Sequence, residues 1–151
     1  SAVIEITSPD ESNTRKLGMI GVLSNAPGLY KPGAFGGATI DDPWECLAEY
    51  NAKLKNEQGC DMVLPLCHLY EFQDDRTCSE FDFPIVLSGH DHHRVDRVHE
   101  GSRLLKPGMD GHYAVIVDLI WESSSSDSKP MTSITYICDR SFNVPIDLRL
   151  L

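Results

Sequence analysis

At 151 residues the chain has the length of one domain, and 41% apolar residues are enough to build a core. A formal net charge of −10, with a pI near 4.9, argues against non-specific binding to nucleic acid or to an anionic membrane surface. An anionic substrate would therefore need a local source of positive charge, which a bound divalent metal supplies.

Residues 2–7 (AVIEIT) read as a strand, followed by turn chemistry in PDESNT. Residues 16–24 (KLGMIGVLS) form an apolar run of buried-strand type. The Gly/Pro-rich stretch NAPGLYKPGAFGGA is long for a plain connection, and long ordered loops are often functional. The segment DDPWECLAEYNAKLKNEQG predicts a helix, with Asp42 as N-cap, Pro43 at the first helical position and Gly59 at the end. Its apolar face is expected at Trp44, Leu47, Ala48, Ala52 and Leu54. A buried strand at 60–68 (CDMVLPLCH) follows directly, which gives a strand–helix–strand crossover from 16–24. YEFQDDRTCSEF reads as a polar helical connection and FPIVLSG (83–89) as another buried strand. RVDRVHEGSRLLKPG alternates, with HEGS as the turn of an antiparallel pair. YAVIVDLIW (113–121) is a further strand, 122–130 a Ser-rich surface loop, and MTSITYIC and NVPIDLRL two more strand-like runs.

Five cysteines, at 46, 60, 67, 78 and 138, make an odd number with no CxxC pair. That pattern is neither a zinc ribbon nor a dense disulfide scaffold. Buried free thiols lean toward a reducing, cytoplasmic compartment, although localisation is otherwise undetermined. No run reaches the ~18 apolar residues of a membrane span. No N-terminal signal segment is visible, and SAVIEITS reads as a strand at a cut edge.

Chemistry concentrates in Ser-Gly-His-Asp-His-His, residues 88–93. His90 and His92 stand two apart at a strand end, so an extended turn lets both face one cavity, with Gly89 permitting the tight turn. Neutral imidazole is a common ligand for Zn, Mn, Fe and Ni. The bland alternative is a histidine-rich surface turn. His68 closes the preceding apolar strand, and in open α/β sheets ligands bind beyond such strand ends. Cys67 is a poor nucleophile partner for His68, because neighbouring strand residues face opposite sides. His93, His99 and His112 are expected to face solvent or to be satisfied structurally. Asp74 and Asp75, in the polar connection, are expected on a solvated face.

The stretch DMVLPLCHLYEFQDDRTCSEFDFPIVLSGHDHH resembles the second half of calcineurin-like metallophosphoesterases, in the branch that contains 5′-nucleotidases. KLGMIGVLS with the Pro-started helix resembles the approach to that half. LLKPGMDGHYAVIVDLIW resembles the segment where an antiparallel pair completes a second sheet. The resemblance covers residues 16–121. It implies an α/β two-sheet sandwich of mixed sheets with flanking helices, and a two-metal hydrolase of phosphate esters or nucleotides. His68 and His90 would hold one divalent ion (Zn, Mn, Fe or Mg) and His92 the other. Two such ions clamp a phosphoryl group between them.

The family pattern also has Asp-x-His, Gly-Asp-x-x-Asp and Gly-Asn-His in an N-terminal half. Residues 1–67 contain no Asp-x-His, Gly-Asp or Asn-His. The expectation is one partial domain over 1–151 whose N-terminal half is missing. It would be inactive alone, with no catalytic residues of its own, and would pair with the missing half or with itself. The alternatives are a non-catalytic binding or regulatory module that keeps this half of the fold, and an unrelated α/β protein with a histidine-rich turn.

Overall fold

The computed structural model describes residues 1–8, 11 and 13–121, and the backbone of 131–137. The Ser-rich segment 122–130, Cys138 and the run at 143–150 lie outside the described residues. In chain order the elements are β1 (Ala2–Thr7), β2 (Thr14–Leu23), α1 (Pro43–Asn56), β3 (Met62–His68), α2 (Glu71–Glu80), β4 (Ile85–Ser88), β5 (Arg94–His99), β6 (Ser102–Pro107), β7 (Ala114–Ile120) and β8 (Met131–Ile137). Six strands make one mixed sheet in the order β1-β2-β3-β4-β6-β5, and β7 and β8 make a separate antiparallel ribbon. β2, β3, β4 and β6 run parallel, while β1 and β5 flank them antiparallel at the two edges.

The central strands are apolar on both sides because both sides are covered. One face carries Ile20, Val22, Val63, Cys67, Val86 and Leu104, packed against Leu47 and Leu54 of α1 and Cys78 of α2. The other carries Leu17, Met62, Leu64, Ile85 and Leu105, against Val115, Val117, Leu119 and Trp121. Alternation along β7 follows from this, since Ile116, Asp118 and Ile120 face outward. The result is three layers, with helices, sheet and ribbon stacked in that order.

Local chemistry sets the element ends. Asp42 accepts from Trp44 N (2.9 Å) and Glu45 N (3.0 Å), which satisfies the first free amides of α1. The buried face of α1 is rotated from its sequence pattern: Pro43, Leu47 and Leu54 are buried, and Trp44, Cys46 and Tyr50 are half-buried against the same core. Ala48 and Ala52 are exposed, on the side of the helix turned away from that core. Gly18 lets it sit close, since a Cβ there would meet Leu54 Cδ1 at 3.0 Å and Cys60 Sγ at 3.1 Å. Glu100 and Gly101 both have positive φ, the two-residue turn that matches the twist of the β5–β6 hairpin. That hairpin joins the main sheet, so residues 102–107 extend the first sheet and the second sheet begins only with β7. Among the described residues no helix is long and apolar enough to cross a membrane.

Candidate metal centre

β3 and β4 are parallel neighbours, with Leu66 beside Leu87 and Cys67 beside Ser88. This pairing carries His68 and the 88–93 loop to the same carboxyl edge of the sheet. His90 Nδ1 lies 3.3 Å from His68 Nε2, and the two rings meet edge to face at 5.0 Å. Two imidazoles bound tetrahedrally to one ion at about 2.0–2.1 Å place their nitrogens about 3.4 Å apart. The spacing matches two corners of one ion's coordination shell, and it is also that of a direct hydrogen bond between the two rings. His92 is exposed, and among the described residues no three His, Cys, Asp or Glu groups converge on a point. The pair thus has the right spacing for an ion without closing its shell.

His68 is held below the ordinary histidine range by burial, then by His90 and the charge of Lys106. A neutral imidazole is the form that ligates metals. Tyr70 stands edge to face on His90 at 4.1 Å and stacks with Phe72, the most exposed large apolar side chain among the described residues at 71%. Cys67 points into the helix-side core, and burial drives its thiol far above the ordinary range, so it has no thiolate to offer.

The turn is built differently from the sequence expectation. Gly89 does not adopt positive φ; His90 does, at 71°. A non-glycine residue in that region is strained and is kept there only by its surroundings. Gly89 still sits close under His68, where a Cβ would come 3.5 Å from Nδ1.

Asp74 is not on a solvated face, whereas Asp75 is half-exposed. Asp74 is 0% exposed and its carboxylate lies 2.6 Å from Lys106 Nζ, also 0% exposed. Burial pushes Asp74 up to about 6 despite that neighbour. Lys106 also donates to Leu69 O (2.8 Å), Gly89 O (2.6 Å), Asp91 Oδ2 (2.8 Å) and Ser88 Oγ (3.3 Å). Asp75 pairs with Arg97. Lys106 carried a sequence signal that is easy to miss, since it shares an inward strand parity with Ser102 and Leu104.

The remaining histidines are accounted for. His93 Nε2 contacts Glu71 Oε2 at 2.9 Å, and His112 is exposed. His99 Nε2 lies 3.1 Å from Ser79 Oγ, a pairing that invites a nucleophile–base reading. Arg97 Nη1 faces His99 Nδ1 at 3.3 Å, and a guanidinium can only donate. Nδ1 must then accept, and Nε2 carries the proton toward Ser79. The serine donates to Asp75 O at 2.8 Å and gains no base.

No protein-family model and no curated protein matches the sequence. Among solved structures, the chain is similar to the calcineurin-like phosphoesterase YfkN from Bacillus subtilis, with a TM-score of 0.72, 18% identity, and coverage of 88% of this chain and 49% of that one. It is also similar to a protein provisionally named a 5′-nucleotidase from Staphylococcus aureus, solved with α-ketoglutarate, with a TM-score of 0.64, 16% identity, and coverage of 96% and 31%. The chain thus spans about half and about a third of these two proteins. At such identities the likeness speaks for fold alone. The chain has the α/β sheet arrangement of a calcineurin-like phosphoesterase fold.

Proposed function

We propose that the chain supplies one wall of a divalent-metal centre in a hydrolase of phosphate esters or nucleotides, with His68 and His90 holding one ion and His92 facing a second. The observation that carries this reading is the 3.3 Å approach of two imidazole nitrogens at the ends of adjacent parallel strands. The fold likeness to a calcineurin-like phosphoesterase supports it. A bound divalent ion would polarise a phosphoryl oxygen and acidify a coordinated water. The chain's own residues supply imidazole nitrogen donors and hold the His90 ring edge-on against Tyr70. Against the acidic composition an anionic substrate needs local positive charge, which a bound metal would supply.

Because no third donor converges on the pair among the described residues, turnover belongs to an assembly in which further ligands arrive. Those come from an N-terminal half or from a second copy. The same shortfall favours the rival reading, a binding module that holds one ion without catalysis.

Calorimetric titration with Co²⁺ or Zn²⁺ is the direct test. Binding is expected in the wild-type chain and should be lost in His68→Ala and in His90→Ala. Hydrolysis of an aryl phosphate with Mn²⁺ is expected at background for the chain alone. Fast turnover that vanishes in His90→Ala would overturn the inactivity; no metal binding at all would remove the metal reading.

A further inference from the structure

We infer that Lys106 is the positioning residue of the histidine site, a buried ammonium that holds both histidine backbones in place; this rests on the metal reading above. Its partners point to that role. Leu69 O is the carbonyl immediately after His68. Gly89 O and the Asp91 carboxylate stand on either side of His90. One ammonium thus grips the chain next to one candidate ligand and on both flanks of the other.

His90 needs such a grip. Its φ of 71° is uphill for a residue with a side chain, so the contacts that flank it must fix it. Two backbone bonds bracket it, with Gly89 N donating to Cys67 O (2.9 Å) and Asp91 N to Gly89 O across His90 (3.0 Å), and the ammonium binds that same Gly89 carbonyl. Asp74 of α2 supplies the opposite charge that lets an ammonium stay in a site closed to water. Lys106 touches no ligand nitrogen; it acts through the carbonyls and Asp91. Groups that hydrogen-bond metal ligands directly commonly cost about 10–100-fold in affinity when lost, and a group that fixes the flanking backbone acts in the same direction.

The test uses Lys106→Met, which keeps the length of the stem, and Lys106→Met/Asp74→Asn. The double variant leaves no unpaired charge at Asp74, so it stays folded if the single variant does not. Amide hydrogen exchange by NMR on the metal-free chain is the first readout. Exchange at Gly89 and Asp91 should accelerate at least ~10-fold while Leu64, in the sheet centre, is unchanged. Unchanged exchange at 89 and 91 in the folded double variant overturns the inference. The second readout is Co²⁺ affinity, expected to weaken ~10–100-fold; affinity within twofold of wild type also overturns it. If the wild-type chain binds no Co²⁺, the metal reading falls separately, and the exchange data alone decide whether Lys106 holds the loop.

Discussion

At the scale of single residues, the molecule places an uncommon backbone where it also places its chemistry. His90 holds a left-handed conformation and reaches toward His68. Glycine would hold that backbone without strain, whereas alanine would not, at a cost of about 1–2 kcal/mol. His90→Gly should therefore be more stable than His90→Ala by about 1 kcal/mol in chemical denaturation, although both lose the imidazole. Equal stabilities would show that the loop relaxes once the ring is gone. The pairing of His68 with His90 was legible in sequence, because both follow apolar runs that end in polar residues. The strained residue was not: Gly89 is the natural candidate for a turn, and which neighbour takes positive φ depends on contacts from other elements. Asp74 was misread for a similar reason. A polar helix looks solvated until a lysine three elements away supplies its counter-charge.

At the scale of elements, one carboxylate ties the start of β2 to the start of β3. Asp61 accepts from Lys16 N at 2.7 Å and from Arg15 Nη1 at 2.9 Å, and its own N–H donates to Lys16 O. Burial pushes Asp61 up, but the Lys16 amide and the Arg15 guanidinium outweigh it and hold the carboxyl below its ordinary value of 3.8. The unfolded chain then binds the proton more readily than the folded one, so stability rises with pH across this window. The contribution is complete above about pH 4 and is lost as pH falls further. Asp61→Asn should cost about 1–3 kcal/mol at neutral pH and should flatten the acid limb of the stability profile. A mutant whose acid limb matches wild type would exclude Asp61 as its source. The β2–α1–β3 unit was readable because a capped helix between two apolar runs leaves few alternatives. The position of the buried stripe on α1 was not, since alanine sits equally well in or out of a core.

At the scale of the whole molecule, helices pack on one face of the sheet and a ribbon on the other; the helical layer followed from apolar strands alternating with helical segments, and the second sheet only from the family resemblance. Sheet membership was harder to read. β6 lies between β4 and β5 in the main sheet, and local sequence says little about which edge a hairpin joins. The buried lysine bears on how this arrangement forms in time. The β5–β6 hairpin is local and can close early, whereas the parallel pairings of β2, β3, β4 and β6 span long stretches of chain and close late. Lys106 rides on the early hairpin, yet its partners come from the residue after β3, from β4, from α2 and from the 88–93 loop. Its charge stays hydrated until those four segments arrive. Lys106→Met/Asp74→Asn should then leave the refolding rate nearly unchanged and shift mainly the unfolding rate, as stopped-flow denaturant jumps would show. The histidine edge would be among the last parts of the molecule to take shape and among the first to open.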